Sequence, residues 1–599
     1  MKKTNDFVIR FANVNGTGSA SANFLFAKSV FRMGIPISAK NIFPSNIQGL
    51  PTWYEVRVSE KGYLGRRSGI DLMVAVNPQS LEKDIASVKE GGVLLYDCTK
   101  PLYEHYLRPD IRFIGIPLMK LCNEAYTDPR QRQLFKNIIY VGALAELLGI
   151  EFNVLEDLLA EQFAGKEKLI PYNVQALQMG VDYVRENNLN IALNVERRDL
   201  IGDKILMEGN AACALGAIYG GATMAAWYPI TPSTSVAQAF ESYAEQLRID
   251  PVTGQKKFAV LQAEDELAAM GMVIGAGWNG ARSFTATSGP GVSLMNEFIG
   301  LSYFAEIPAV LIDVQRTGPS TGMPTRTQQS DLTEVAYASH GDTKHPVLIP
   351  SNPKECFEMT ALSFDLAERL QTLVVVLIDL DLGMNDHVSE PLKWDDSRTY
   401  DRGKVLSADD LDRLEKWGRY LDVDGDGIPY RTLPGTHPQK GGYFTRGTSR
   451  DEYAKYTEDG KEYKKNMDRL LVKWETTKTL MPSAELYQSA YQSDTGLLFF
   501  GTTAYAATEA MERLEAEGGQ LDAIRIKSFP FGPEVEDFIR QHKQIFVIEQ
   551  NRDAQMRSLL INELDTNPAK LIPILNYDGM PITAANIVNL IQAHQPITS

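Results

Sequence analysis

Strand-length apolar runs alternate with helix-length stretches along nearly the whole chain, and this alternation narrows the possible folds more than any other feature. Phe7–Phe11, Leu72–Val76 and Val93–Tyr96 read as strands, with helices over Ala20–Arg32 and Asn137–Phe152. The pattern returns over 205–390. It returns again over 483–599, where Leu497–Phe500 and Ile545–Glu549 read as strands and Ala504–Glu515 as a helix. Strands separated by helices imply α/β domains built on parallel sheets. At roughly 150 residues per domain, the 599 residues suggest about four units. The expected division is 1–195, 205–390, 391–482 and 483–599. Val195–Lys204 is a polar linker, and 391–482, rich in Asp, Gly, Lys and Tyr, is an irregular connecting region with long loops.

Composition excludes several classes. With 44% hydrophobic and 23% charged residues, the chain reads as an ordinary soluble globular protein. A net charge of −16 argues against a general nucleic-acid or anionic-membrane binder, since both need clustered Lys and Arg. The four cysteines, Cys98, Cys122, Cys213 and Cys356, are far apart and form no C-x-x-C pair. Neither a disulfide framework nor a cluster on closely spaced ligands is expected, so any iron–sulfur centre belongs to another polypeptide. The first residues lack a signal peptide's apolar stretch, and no run approaches a membrane span, so the expected location is the cytoplasm.

Three signals in the second block follow strand-like runs. Tyr228-Pro229-Ile230-Thr231-Pro232-Ser233 is a loop stiffened by two prolines, with Ser233 a plausible N-cap for a helix from Thr234. Gln262-Ala263-Glu264-Asp265-Glu266 follows the strand Phe258–Leu261 and opens a helix over Leu267–Trp278. Acidic residues there need be no more than dipole partners. Gln315-Arg316-Thr317-Gly318-Pro319-Ser320 follows the strand Ala309–Val314, and an Arg at such a place can fork onto a carboxylate. In a parallel sheet, ligands sit beyond the carboxyl ends of the strands. One hydroxyl (Thr231), one carboxylate (from 264–266) and one guanidinium (Arg316) are therefore expected to converge on one crevice.

These residues, with Glu208-Gly209-Asn210-Ala211-Ala212, FTATSGPGVSLM at 284–295, QRTGPSTGMPT at 315–325 and Gln328-Gln329-Ser330-Asp331-Leu332, resemble the α subunit of 2-oxoacid:ferredoxin oxidoreductases. Residues 1–195, with Ile47-Gln48-Gly49-Leu50-Pro51, resemble the family's γ unit fused ahead of the α unit. The tail, with Gly501-Thr502-Thr503 and Val547–Asn551, resembles a transketolase C-terminal domain. The resemblance implies a pyrimidine-binding domain over 205–390 and thiamine diphosphate shared between two subunits. A partner β subunit would hold the diphosphate, its Mg²⁺ and a [4Fe-4S] cluster, in an (αβ)2 assembly. It further implies decarboxylation of a 2-oxoacid, transfer of the acyl group to coenzyme A and delivery of electrons to ferredoxin. Among residues it implies Glu266 as the catalytic carboxylate on the pyrimidine, with Glu264 the second candidate, Tyr228, Pro229, Ile230 and Thr231 beside the cofactor, and Thr231 and Arg316 on the substrate. The fused layout and the stretch 422–437 resemble 2-oxoglutarate-type enzymes. Broad-range or pyruvate-type enzymes are the alternative of the same class, and a non-catalytic metal- or nucleotide-binding protein on this fold is the alternative of another.

Three weaker motifs remain. The diphosphate–magnesium motif needs Gly-Asp-Gly followed some two dozen residues later by Asn; Gly425-Asp426-Gly427 is followed by no Asn through Lys465, so a partner subunit is expected. Asp422, Asp424 and Asp426 resemble the front of a Ca²⁺ loop, although Leu433 stands where a bidentate Glu belongs. They are the candidate metal site, with an Asx-turn cluster as the alternative. Gly16-x-Gly18 lacks the full dinucleotide fingerprint, and His340 and His437 read as structural.

Overall fold

The structure, a computed structural model, describes residues 2–14, 16–45, 50–444, 447–489 and 493–594; the family-like residues 47–49 lie outside them. The chain divides into two units, one of 1–206 with 385–390 and 583–585, the other of 207–384 with 391–582 and 586–599.

In the first unit six strands form one sheet, in the order Ile37–Ile42, Pro51–Ser59, Asp6–Val14, Ile70–Ala75, Val88–Asp97, Arg112–Ile116. Alternation along the strand Asp6–Val14 decides the faces of the sheet. Phe7, Ile9 and Phe11 join Phe26, Val30 and Tyr140 in one core, while Val8 and Ala12 join Ile70, Met73 and Leu94 in another. Asp6–Val14 runs parallel to Ile70–Ala75, as expected of a strand–helix–strand unit. Ile37–Ile42 and Pro51–Ser59 add an antiparallel pair to that sheet, because the connection between them is too short for a crossover.

The helix expected over 137–152 instead runs Pro129–Leu148. Asp128 caps it by accepting from Arg130 N at 2.9 Å, and Gly149, at φ 79°, ends it before a second helix starts at Phe152. It packs backbone to backbone on Ile170–Glu186. A Cβ on Gly142 would lie 2.0 Å from the Leu177 carbonyl oxygen, and one on Gly180 would lie 2.1 Å from that of Ile139. The polar stretch 195–204 is fastened to this unit by ion pairs, Arg197 to Glu151 and Arg198 to Glu60.

The second unit holds two sheets. The larger is ordered Ala259–Gln262, Met224–Trp227, Ser283–Thr287, Ala309–Gln315, Leu373–Asp379, Val347–Leu348, Ser528–Phe529, parallel except at the last pairing. Leu373–Asp379 is buried along its whole length, which its unbroken Leu, Val and Ile allow. The smaller sheet, Glu485–Tyr487, Asp522–Ile526, Thr495–Phe500, Gln544–Glu549, Leu571–Leu575, is parallel apart from its first strand.

Between them, 391–482 contains long loops and also a 19-residue helix, Gly460–Lys478. Its buried face is Asn466, Arg469, Leu470, Lys473, Trp474 and Thr477, a helical spacing in which half the stripe is strongly polar. Glu306, fully buried, answers that charge: it accepts from Arg469 at 2.6 and 3.0 Å and from Lys473 at 2.8 Å. Among the described residues no helix is long and apolar enough to cross a membrane.

Candidate active site

The carboxyl ends of the larger sheet are level. Trp227 pairs with Gln262, Thr287 with Asp313, and Gln315 with Asp379, so the segments that follow leave the sheet along one rim. The first is the Tyr228–Ser233 loop. Ile230 N–H donates to Thr234 Oγ1 at 3.0 Å, and Ser233 N–H donates to the Ile230 carbonyl at 3.0 Å. Asn210 donates to the Pro232 carbonyl and to Ser235 Oγ, both at 2.8 Å. Its neighbour Gly209 lets the helix start against Leu382, whose carbonyl oxygen a Cβ would meet at 2.6 Å. The helix does begin at Thr234, but Ser233 is not its side-chain cap. It already has helical dihedrals (φ −82°, ψ −15°), and its hydroxyl donates back to the Ile230 carbonyl at 3.2 Å.

The acidic turn separates into three environments. Asp265 caps the helix Glu266–Trp278 by accepting from Ala268 N at 2.7 Å, which is the ordinary role for an acid at that place. Glu264 is exposed. Glu266 is only 7% exposed. Its stem lies against the first turn of the helix Gly289–Ala305: a Cβ on Gly291 would sit 2.9 Å from Glu266 Cγ and 1.9 Å from Thr287 Oγ1. Only glycine at 291 allows that approach.

Arg316, 8% exposed, donates from Nη1 to the Thr231 carbonyl at 2.8 Å, and its Nε finds no acceptor among the described residues. Burial lowers its basicity, while the charges of Asp331 and Glu266 act to raise it. Thr231, Glu266 and Arg316 therefore share one crevice at the strand ends.

Two acids behind this crevice were not among the expected site residues. Asp313, fully buried on its strand, has no hydrogen-bond partner for either oxygen among the described residues. Burial pushes its carboxyl well up, and the nearby Asp331 and Glu334 charges add to this. Asp331 packs against Gly289, whose added Cβ would lie 2.7 and 2.8 Å from the two carboxyl oxygens. Its carboxyl is pushed up to about 7 by burial and the Glu334 charge, against the opposing pull of the Gly289 N–H and Arg316. A lone Asp in the apolar strand Ala309–Gln315 was the available sequence signal for Asp313.

At the candidate metal site, Asp422, Asp424 and Asp426 have partners within the chain. Lys404 Nζ lies 2.6 Å from Asp424 and 2.7 Å from Asp426, so an ammonium supplies the positive charge. Asp422 accepts from Gly425 N at 2.8 Å and Gly427 N at 2.9 Å, and Asp426 accepts from Ile428 N, two residues on, at 3.0 Å as in an Asx turn. Among the described residues no group of three His, Cys, Asp or Glu is placed to hold a metal. His437 is held by Asp412 at 3.2 Å and by the N–H groups of Gln439 and Lys440, and His340 lies 3.7 Å from Glu297.

A buried carboxylate to which no described residue donates, seated on a glycine-lined helix turn beyond parallel strands, is available to exchange a proton with a ligand bound there. Comparison with known proteins gives the family. The family described as "Pyruvate flavodoxin/ferredoxin oxidoreductase, thiamine diP-bdg" matches residues 215–405, and "Pyruvate ferredoxin/flavodoxin oxidoreductase" matches 8–183. The 2-oxoacid:ferredoxin oxidoreductase 2, subunit alpha, of Aeropyrum pernix is 30% identical over 98% of this chain and 97% of its own. The 2-oxoglutarate oxidoreductase subunit KorA of Mycobacterium tuberculosis is 25% identical over 92% of this chain and 86% of its own. The solved 2-oxoglutarate:ferredoxin oxidoreductase from Magnetococcus marinus, with 2-oxoglutarate, coenzyme A and succinyl-CoA bound, superposes with a TM-score of 0.88 at 29% identity, covering 99% of this chain and 100% of that one. The chain belongs to the 2-oxoacid:ferredoxin oxidoreductase α-subunit family.

Proposed function

We propose that the chain is the α subunit of a 2-oxoglutarate:ferredoxin oxidoreductase, converting 2-oxoglutarate and coenzyme A to succinyl-CoA and CO2 while reducing ferredoxin. The observation that carries this reading is the crevice shared by Glu266, Thr231 and Arg316, in a chain similar over its whole length to an enzyme solved with 2-oxoglutarate and coenzyme A bound. Thiamine diphosphate supplies the nucleophilic carbon and the electron sink for loss of CO2. In this reading Glu266 holds the proton at the aminopyrimidine ring nitrogen, with Glu264 outside the contact. Tyr228, Pro229, Ile230 and Thr231 form the wall beside the ring. Arg316 receives the carboxylate next to the reacting carbon, and the Thr231 hydroxyl orients the oxo oxygen.

The proposal includes a β subunit that holds the diphosphate, its Mg²⁺ and the [4Fe-4S] cluster, in an (αβ)2 assembly. The surface around the crevice supports it. Among the described residues Ala259–Gln262 pairs only with Met224–Trp227, and Leu261 on that strand, Leu267 and Met272 on the next helix and Leu294 (57% exposed) on the helix Gly289–Ala305 leave apolar side chains uncovered. An open strand edge and uncovered apolar side chains suit an interface. A cytoplasmic location belongs to the same proposal and suits four free cysteines. So does the functional map of a γ-type segment (1–195), a pyrimidine segment (205–390), a connecting region (391–482) and a transketolase-type segment (483–599).

The test is co-purification with the partner and a comparison of pyruvate, 2-oxobutyrate and 2-oxoglutarate. We expect kcat/KM for 2-oxoglutarate to exceed the others by about tenfold or more, the scale of a discrimination of 1–3 kcal/mol. Equal turnover on all three would leave the broad-range reading instead. A second check is Gly291→Ala. Its Cβ would displace Thr287 or Glu266, so kcat should fall about tenfold or more, since small misplacements at a reacting group are costly. Wild-type kcat in that variant would mean that the contact does not position Glu266.

A further inference from the structure

Arg316 is a buried cation whose direct hydrogen bond goes to a carbonyl, that of Thr231, and not to a carboxylate. Its charge is balanced through space by Glu266 and Asp331. Asp331 is 9% exposed, and its Oδ2 finds no donor among the described residues. Behind it Asp313 is fully enclosed with both oxygens likewise unpaired. Each buried carboxyl disfavours ionisation of the other, so the two titrate as a pair.

When the carboxylate of a 2-oxoacid arrives on the guanidinium, a second anion is added to the same small volume. We propose that Asp331 is the counter-ion of Arg316, and that the arriving carboxylate is accommodated by a proton taken from solvent onto the Asp313–Asp331 pair. The inference rests on the reading of Arg316 as the receiver of the substrate carboxylate. It makes Asp331 a positioning residue, acting through Arg316.

The charged and titratable groups facing Asp331 are few. Asp313 comes from the strand Ala309–Gln315, Arg316 from the loop after it, and Glu334 from the helix that follows Asp331; Glu266 bears on Arg316 from the other side. Gly289 at the first turn of its helix also adjoins Asp331, as does Gln315, whose Oε1 accepts from Asp331 N at 3.1 Å. Burial raises both carboxyls, Asp331 to about 7 and Asp313 well above the usual carboxylate range. Bringing an anion onto Arg316 raises the proton affinity of Asp331, and by linkage the anion binds more tightly when Asp331 carries its proton.

The test uses the full chain in the complex it purifies as, and 2-hydroxyglutarate as the probe, because it keeps both carboxylates and has no oxo group to react. Calorimetric titrations run from about pH 6 to about pH 8.5, in buffers of different ionisation heat. For the wild type we expect net proton uptake on binding, and a dissociation constant that rises by up to about tenfold per pH unit above neutrality. Asp331→Asn should bind at least as tightly as wild type, with no proton uptake and a flat dissociation constant. A merely structural role would weaken binding at every pH and leave the slope. Asp331→Glu should restore the slope.

Wild-type binding without proton uptake overturns the proposal even if the variants fail to fold. Arg316→Ala separates the two readings. If it abolishes binding while Asp331→Asn keeps the wild-type slope, only the proposal about Asp331 fails. If Arg316→Ala binds normally, the reading of Arg316 fails and the proposal with it.

Discussion

Glu266→Gln is expected to leave a folded protein whose 2-oxoacid-dependent reduction of ferredoxin is lower by roughly 10²- to 10⁴-fold, the range lost when one positioned acid–base group is removed. Gln keeps the volume of Glu, so the packing against Gly291 survives and only the proton-holding group is lost. Glu264→Gln is the control. Glu264 is exposed, and its substitution should leave the rate within about twofold, as for a surface change away from a site. The pair of variants decides between the two glutamates that the family resemblance leaves open. Steady-state ferredoxin reduction with saturating substrate measures both, and a normal rate in Glu266→Gln would falsify the assignment.

The second large effect is on stability. Glu306 sits at the end of the helix Gly289–Ala305 in a left-handed conformation (φ 57°), fully buried. It accepts from Arg469 and Lys473, and its own carbonyl accepts from Arg419 at 2.7 Å. Replacing it by Ala strands two buried cations, a loss on the order of 3–5 kcal/mol. The loss should be greatest in the helix Gly460–Lys478, whose buried face carries both partners, and amide exchange along that helix is the measurement. Protection within about 1 kcal/mol of wild type would mean that the ion pairs do not hold the helix in place.

The pH dependence has a definite sign. Burial alone would raise the Glu306 carboxyl, but Arg469 and Lys473 outweigh it and hold it well below the usual carboxylate range. A depressed pKa in the folded state means that the contribution is complete above the ordinary glutamate range and is lost as the pH falls below it. In Glu306→Ala that acid-sensitive component should be missing.

The expected site came from local signals that the topology then brought together. Tyr-Pro before a helix, acids at a helix start and an Arg after an apolar strand are each unremarkable. In a parallel sheet they must share one rim, and Thr231, Glu266 and Arg316 do. What stayed hidden was whatever depended on a distant partner. Asp422, Asp424 and Asp426 have the spacing of a cation loop, and only the fold brings Lys404 among them. The helix Gly460–Lys478 was hidden because Asn466, Arg469 and Lys473 stand where an amphipathic pattern calls for apolar residues, and Glu306 that makes this tolerable is far away in sequence. Asp331 was visible within a familiar string, but its enclosure beside Asp313 belongs to the folded chain alone.

The strand Ala259–Gln262 has a further consequence for handling the protein. It is a largely exposed outer strand with hydrogen-bonding groups on its open side, in a sheet whose inner strands are buried. An open strand of this kind is a template for another chain, and nothing in Ala-Val-Leu-Gln (no proline, no charge, no bulge) discourages a wrong one. If the proposed β subunit covers this strand, the chain made without it would leave the edge open to whatever β-strand is at hand. Recombinant yield and solubility should then rise when the two polypeptides are made together.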